Sequence, residues 1–158
     1  MQNYINSIKD KLEHKDIHII ELECLASTND YLRELKAKNK LEDFTVVVSQ
    51  YQTAGKGQRG KKWLSNKSEN LLFSIFLRPQ KIHVSDQFLL TQLISVSIVS
   101  YLRTAYNISD AMIKWPNDIY VGDKKLGGVL IENAVQGKYI HDTIIGVGMN
   151  INQEVLDR

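Results

Sequence analysis

The sequence has few of the residues that build metal centres or disulfide frameworks. Its 158 residues include one cysteine, Cys24, which excludes a disulfide or a multi-cysteine zinc site within one chain. His14 and His18 have the HxxxH spacing, but the HExxH motif of a helical zinc site does not occur. We therefore expect no resident metal site in this protein.

Long apolar runs and an excess of one charge are also lacking. The most apolar stretch, residues 88–106, is interrupted by seven polar residues, and the first ten residues have no apolar core of a signal peptide. Lysine and arginine number 20 against 18 acidic residues, which gives a formal net charge of +2. This balance does not favour general binding of polyanions. We predict a cytoplasmic protein that neither spans a membrane nor binds nucleic acid.

The pattern of apolar residues predicts an α+β fold. It predicts helices over residues 3–14, 27–38 and 85–106, and strands over residues 17–22, 44–50, 70–77, 111–115, 119–121, 126–135 and 139–152. Ser27 with Asp30 resembles a capping box, and Ser85 could cap the longest helix. Because hairpins dominate the second half, we predict a mixed, mostly antiparallel sheet flanked by helices.

A glycine-rich basic segment, GKGQRGKKW over residues 55–63, is the first candidate site. Its glycines let backbone N–H groups approach an anion, and its four cations would offset phosphate charge. The segment matches the letters of the dinucleotide fingerprint and part of the P-loop pattern. Neither motif fits, because no helix is predicted to follow and Lys62 stands where the P-loop needs Ser or Thr. A phosphate-binding loop and a solvated basic loop both remain open.

A second candidate is the segment KWPND over residues 114–118. Lys114 ends a predicted strand and is placed to present a fixed cation. Asn117 and Asp118 either cap their own turn or take part in function. Glycines interrupt the last two predicted strands at residues 127–128 and at residues 146 and 148, which indicates bulges or a ligand channel across the sheet.

Taken together and in this order, these segments resemble the biotin protein ligase family, also called biotin–[acetyl-CoA-carboxylase] ligase. The resemblance covers residues 18–152. It is carried by Ser27-Thr28-Asn29, Gln50, Gly55–Trp63, Lys114–Asp118, the KLGGVL segment of residues 125–130, and Gly146–Asn150.

The resemblance implies a class II synthetase-like, biotinyl/lipoyl ligase-like fold and an enzyme acting in two steps. Biotin's carboxylate attacks the α-phosphate of ATP with the help of Mg²⁺, which gives biotinyl-5′-AMP and pyrophosphate. A lysine of the biotin carboxyl carrier domain of acetyl-CoA carboxylase then takes the biotinyl group and releases AMP. The resemblance implies a monomer or a homodimer.

The resemblance also assigns roles to individual residues. Lys114 is the predicted catalytic cation near the carboxylate and the α-phosphate. The predicted biotin-binding residues are Ser27, Thr28, Asn29, Gln50, Gly55, Lys56, Gly57, Lys114, Gly127 and Gly128. The predicted ATP- or adenylate-binding residues are Lys56, Gln58, Arg59, Trp63, Asn117 and Asn150. The strand glycines are expected to leave room for biotin's ring and tail.

The chain departs from the family pattern in two ways. The family's loop often has arginine where this chain has Lys56 and Gln58, and lysine cannot reproduce the paired contacts of a guanidinium group. The family also carries a further helix and an SH3-like domain after the last motif. We therefore expect residues 1–158 to be a biotin- and ATP-binding catalytic domain that is incomplete at its C-terminus. We expect no N-terminal DNA-binding domain.

Three other functions are compatible with some of these features. A lipoate-protein ligase would share the fold and the adenylation chemistry, but the chain lacks that family's run of glycines before His-Asp. A non-catalytic nucleotide-binding fragment would bind ATP without any dependence on biotin. An RNA-binding domain is the third alternative, although the basic loop offers one aromatic side chain, Trp63, for stacking on bases.

Overall fold

A seven-stranded mixed sheet forms the centre of the computed structural model, which describes residues 17–38, 41–79 and 81–153. The elements are β1 (His18–Leu22), α1 (Thr28–Ala37), β2 (Thr45–Ser49), β3 (Asn70–Leu77), α2 (Gln87–Ala105), β4 (Ala111–Lys114), β5 (Asp118–Val121), β6 (Lys124–Gln136) and β7 (Tyr139–Asn150). The strand order is β1-β2-β3-β7-β6-β5-β4. β1 and β2 are parallel, and every other described pair is antiparallel. The predicted fold class is confirmed.

The two described helices cover opposite faces of this sheet. Alternate residues of a strand point to opposite faces, so Ile144 of β7 packs with Leu32 of α1, while Ile145 packs with Val99 of α2. α1 lies over β2, β3 and β7, and α2 lies over β4, β5 and β6. The face that carries α1 is therefore left open above β5 and β6.

The longest helix closes the core behind that open region. α2 with the preceding turn, Val84–Ala105, is the one helix in the described part of the chain that is long and apolar enough to cross a bilayer by length and composition. Here it buries Leu90, Val99 and Leu102. Its outer side exposes Leu89 and Leu93. Its buried side packs against β4, β5 and β6.

The observed elements follow the predicted ones closely, and β3 has the predicted bounds. The helix predicted over residues 3–14 lies outside the described residues. The predicted position of the first helix cap is confirmed without its capping bond, and the predicted cap of the longest helix is wrong. Ser27 occupies the N-cap position of α1 but makes no side-chain cap bond. Ser85 lies inside a 3₁₀ turn, Val84–Asp86, and α2 starts after Asp86.

Candidate active site

A cavity of about 370 Å³ opens on the α1 face of the sheet. Its walls are the start of α1, the segment of residues 55–63, the turn of residues 115–118 and the centres of β6 and β7. Most of the predicted site residues line it: Ser27, Thr28, Asn29, Lys56, Gly57, Gln58, Arg59, Trp63, Asn117 and Gly128. The structure therefore brings together motifs that lie up to about a hundred residues apart in the sequence.

One wall of the cavity is a cluster of hydrogen-bonded polar side chains. Gln52 Oε1 accepts two hydrogen bonds from Thr28, one from the backbone N–H at 2.8 Å and one from the hydroxyl Oγ1 at 3.1 Å. Ser74 Oγ lies 2.6 Å from both Thr28 Oγ1 and Asn29 Oδ1. Thr28, Asn29 and Ser74 are buried. Buried polar groups with fixed partners hold their orientation, so this wall can recognise a polar ligand by geometry.

Gln52, and not the predicted Gln50, belongs to this cluster. Gln50 lies outside the cavity, where its Oε1 accepts a hydrogen bond from Ser68 at 3.2 Å. The backbone of residues 50–54 follows residues 22–26, with bonds from Gln50 N to Leu22 O and from Thr53 N to Leu25 O. This alignment carries the chain past the end of β2 and brings Gln52 beside Thr28. We therefore transfer the predicted biotin-binding role from Gln50 to Gln52.

The glycine-rich segment forms a short hairpin over the cavity, which we call the glycine hairpin (residues 55–63). Gly57 N donates to Lys61 O at 2.7 Å, and Trp63 N donates to Gly55 O at 2.9 Å. A Cβ atom at Gly55 would lie 2.5 Å from Trp63 O, so only glycine permits this close pairing. Arg59 at the tip has positive φ, 55°. The hairpin thus presents its cations at the cavity mouth.

The strand glycines accommodate protein side chains, which corrects the expectation that they leave room for the ligand. A Cβ atom at Gly148 would lie 2.5 Å from Trp63 Cε2, and one at Gly146 would lie 2.4 Å from Asn29 Oδ1. Gly128, opposite Gly148 in the sheet, lies under the same indole ring. These glycines therefore let Trp63 and Asn29 press against the sheet and form the cavity walls.

The cation held inside the cavity is Lys125, which sequence reasoning did not single out. Its Nζ lies 2.7 Å from Asp118 Oδ1 and 5.5 Å from the centroid of the Trp63 ring. Lys114 is absent from the cavity lining: its Nζ lies 3.4 Å from Tyr120 Oη and 4.7 Å above that ring. Lys125 belongs to the KLGGVL segment, so the signal was present in the sequence. We transfer the predicted role of principal cation from Lys114 to Lys125.

The cavity carries an excess of positive charge. Lys56, Arg59, Lys61, Lys62 and Lys125 line it, and Asp118 is the one carboxylate among the described lining residues. Lys56 Nζ is paired with Asp30 Oδ1 at 2.7 Å. Arg59, Lys61 and Lys62 have no ion-pair partner within the described ranges. An anionic ligand would therefore be stabilised at the hairpin side of the cavity.

The remaining predicted residues support the cavity from outside or from its rim. Asn117 Nδ2 donates to Val129 O at 2.8 Å, which ties the turn to β6. Asn150 Nδ2 donates to Lys125 O at 3.2 Å, outside the cavity lining. A Cβ atom at Gly127 would lie 2.8 Å from Gly148 O, so Gly127 serves strand packing. Their predicted contacts with ligand stay predictions.

No group of three or more His, Cys, Asp or Glu side chains among the described residues is arranged to hold a metal ion. Asp118 is placed to share a cation with a bound polyphosphate, since Mg²⁺ in such sites is held by one or two carboxylates and by the phosphates themselves. The donor set therefore fits a metal that arrives with a nucleotide.

Comparisons with known proteins agree with this geometry. Residues 21–150 match the model of the biotin/lipoate A/B protein ligase family. The bifunctional ligase/repressor BirA of Bacillus subtilis is 36% identical over 147 residues, which cover 93% of this chain and 44% of that protein. The biotin–protein ligase of Homo sapiens is 34% identical over 140 residues, covering 84% of this chain and 19% of that protein. The chain thus spans less than half the length of these relatives.

Solved structures of biotin protein ligases have the same fold as this chain. Biotin protein ligase from Aquifex aeolicus, in complex with biotin and ATP, superposes with a TM-score of 0.74 at 32% identity over 89% of this chain and 55% of that chain. The Leishmania major enzyme in complex with biotinyl-5-AMP gives 0.73 at 29% identity, over 90% and 60%. Protein Ta0514 from T. acidophilum, a putative lipoate protein ligase with bound lipoic acid, has a TM-score of 0.57 at 12% identity and shares the fold alone. The chain belongs to the biotin/lipoate A/B protein ligase family.

Proposed function

We propose that this chain carries the catalytic centre of an ATP-dependent, AMP-forming biotin–[biotin carboxyl-carrier protein] ligase. The observation that carries the proposal is the cavity itself. It joins a buried wall of oriented hydrogen-bonding groups to a cluster of five cations with one carboxylate. A neutral cyclic urea suits the first region, and a carboxylate with a polyphosphate suits the second. Relatives solved with biotin and ATP or with biotinyl-5-AMP support this assignment.

In the first step, a carboxylate oxygen of biotin attacks the α-phosphorus of ATP, and the bond to the bridging oxygen of the β-phosphate breaks. The products are biotinyl-5′-AMP and pyrophosphate. Lys125 lowers the repulsion between the carboxylate and the phosphate, and Lys56, Arg59, Lys61 and Lys62 stabilise the triphosphate. Asp118 would hold Mg²⁺ together with the phosphates of ATP, and the ion would supply charge neutralisation for the pyrophosphate group.

In the second step, the amine of an acceptor lysine attacks the acyl carbon of the adenylate. The bond from that carbon to the phosphate oxygen breaks, AMP departs, and the nitrogen loses a proton. Water competes for the same carbon, so the cavity must keep it out. Trp63 and the glycine hairpin cover the sheet at Gly128 and Gly148, which places an apolar ring between solvent and the buried wall.

The physiological setting follows from the same proposal. The acceptor is a biotin carboxyl carrier domain, such as that of acetyl-CoA carboxylase, and the reaction takes place in the cytoplasm. The protein acts as a monomer or a homodimer. A lipoate-protein ligase is the less favoured assignment, because the buried wall offers polar partners that a dithiolane ring cannot use.

Calorimetric titration of biotin into the chain, with and without Mg·ATP, tests the proposal. We expect micromolar or tighter binding of biotin and release of pyrophosphate only when both substrates are present. Lipoate serves as the matched control, because it has a similar carboxylate tail without the urea. Binding of ATP with no binding of biotin by the folded chain would overturn the proposal in favour of a nucleotide-binding module.

A further inference from the structure

The glycine hairpin borders two cavities and makes few contacts with the rest of the molecule. Its residues line the active-site cavity of about 370 Å³ and also a second cavity of about 940 Å³, which extends along residues 64–66. The backbone hydrogen bonds that residues 55–63 make with the described residues all stay inside the hairpin. The position of the hairpin over the cavity therefore depends on its side chains.

Two side chains on opposite faces of the hairpin attach it to its surroundings. The Trp63 ring packs against the sheet, where a Cβ atom at Gly148 would lie 2.5 Å from it. Lys56 pairs across the hairpin with Lys62, the neighbour of Trp63, so it projects from the other face. Its Nζ lies 2.7 Å from Asp30 Oδ1 at the start of α1. Among the described residues, this contact is the one side-chain hydrogen bond or ion pair between the hairpin and another segment.

Asp30 is held in place independently of the hairpin. The same carboxylate oxygen accepts a hydrogen bond from Arg33 Nη1 at 2.5 Å, one turn further along α1. Arg33 Nη2 lies 2.6 Å from Glu132 Oε1 on β6. The guanidinium group thus ties the Asp30 carboxylate to the helix and to the sheet. Asp30 is therefore a fixed anchor for the ammonium group of Lys56.

The ion pair leaves Lys56 able to meet a ligand. An ammonium group has three donors, and Asp30 takes one of them. Lys56 also lines the active-site cavity, whereas Asp30 does not. The remaining donors are available to an anion in the cavity. Asp30 therefore sets where this cation stands and holds the hairpin that carries it.

We infer that Asp30 is a positioning residue that acts through Lys56: the pair fastens the glycine hairpin over the cavity and slows the escape of the ligand bound beneath it. The identity of that ligand as biotinyl-5′-AMP rests on the proposed function. Retention matters for this compound, because a mixed anhydride that leaves before the acceptor amine arrives is lost to water.

Limited digestion of the ligand-free chain by trypsin tests the fastening. Opening of the hairpin exposes the bond after Arg59, at its tip, and mass spectrometry follows that cut. We expect Asp30→Asn to raise the rate of this cleavage by about two- to fivefold, as for loss of an exposed ion pair. Lys56→Gln breaks the same pair from the other side and should raise it equally. Glu34→Gln is the matched control, because it removes a charge from the exposed side of α1, and it should change nothing.

Salt provides a readout that a merely structural role would not move. Screening weakens an exposed ion pair, so added sodium chloride should speed the cut after Arg59 in the unmodified chain. It should have no such effect in Asp30→Asn, where the pair is already broken. A free peptide with the sequence of residues 55–63 corrects for the effect of salt on trypsin itself.

Retention is measured by the dissociation of radiolabelled biotinyl-5′-AMP into an excess of the unlabelled compound. We expect Asp30→Asn to raise the dissociation rate by about two- to fivefold. In a Lys56→Gln background, Asp30→Asn should have no further effect, since the two residues act through one contact. Glu34→Gln should again behave as the unmodified chain.

The outcomes separate this inference from the proposed function. A folded, unmodified chain that does not bind biotinyl-5′-AMP contradicts the proposed function, whereas the trypsin experiment needs no ligand. An unchanged rate of cleavage in Asp30→Asn overturns the fastening. Faster cleavage with unchanged dissociation overturns the role in retention. An effect of Asp30→Asn that persists in the Lys56→Gln background shows that Asp30 does not act through Lys56 and likewise overturns the inference.

Discussion

Lys125 reaches the cavity from β6 because Asp118, at the start of β5, holds its ammonium group at 2.7 Å. The pair lies beside the Trp63 ring, where water is partly excluded. Lys114, by contrast, belongs to the edge strand β4 and is exposed. The two lysines are therefore a natural pair for testing which cation serves the adenylation step.

We expect Lys125→Met to lower the rate of adenylate formation by about 10²–10³-fold, because a fixed charge at the reacting phosphate is lost. Lys114→Met should change that rate by less than about threefold, as expected for an exposed cation. Single-turnover release of pyrophosphate from biotin and Mg·ATP measures both. The reverse ranking of the two variants would return the catalytic role to Lys114, as the sequence pattern alone suggested.

Gly128 and Gly148, which lie opposite each other in the sheet beneath the Trp63 ring, allow a second test. A methyl group at Gly148 would lie 2.5 Å from the Trp63 ring, whereas one at Gly128 would lie 3.4 Å from it. We expect Gly148→Ala to lower the free energy of unfolding by about 1–3 kcal/mol and to displace the indole, since overpacking strains a filled space. Gly128→Ala should cost clearly less. Urea unfolding followed by circular dichroism compares them, and equal losses would contradict this packing argument.

Among the elements, α1 is fastened to the sheet at both ends. Its first turn bonds to Gln52 and Ser74, and its last turn pairs Lys36 with Asp142 of β7. Arg78 and His141 also lie within 4 Å of the Asp142 carboxylate. Burial raises the pKa of Asp142, but the hydrogen bonds and charges of Lys36 and His141 outweigh burial and hold that pKa below its ordinary value of 3.8.

The ion pairs around Asp142 predict that the free energy of unfolding decreases at acidic pH. A carboxyl group with a lowered pKa in the folded state stabilises the fold above the unfolded-state pKa, and the contribution disappears as pH falls through the folded-state pKa. We expect Asp142→Asn to lower the free energy of unfolding by about 1–3 kcal/mol at pH 7. The difference from the unmodified chain should shrink as pH falls below about 4. Urea unfolding at several pH values measures it, and a difference independent of pH would rule out this role for the carboxylate.

Most element boundaries could be predicted because the alternation of apolar residues in a strand, or their helical spacing in a helix, involves only residues that are close together in the sequence. The site was predicted less completely. Gln52 lines the cavity in place of Gln50 because the pairing of residues 22–26 with residues 50–54 sets which side chain meets α1. Lys125 lines the cavity in place of Lys114 because its ion pair with Asp118 joins two neighbouring strands. The cap expected from Asp30 fails because that carboxylate pairs with Lys56 and Arg33. Each miss is a contact between distant segments.

Over the whole molecule, the cavity gathers segments from residue 27 to residue 148, so its ligand touches most of the fold. A ligand that binds only the folded chain stabilises it by about 2.7 kcal/mol at a concentration one hundred times the dissociation constant. We expect biotin at that concentration to raise the thermal unfolding midpoint by about 5–11 °C. Equal concentrations of lipoate should leave the midpoint unchanged. Calorimetric scans with each compound decide this, and equal shifts would contradict recognition of the urea.

Both tryptophans of the chain, Trp63 and Trp115, line the same cavity. Trp63 is pressed against the sheet with its indole nitrogen buried, whereas Trp115 is 73% exposed. The tryptophan fluorescence of this protein therefore comes entirely from its ligand site, where one indole is shielded from solvent and the other is exposed. Replacing Trp115 by phenylalanine would leave a single, blue-shifted emitter, so the molecule carries its own label for following each substrate into the cavity in real time.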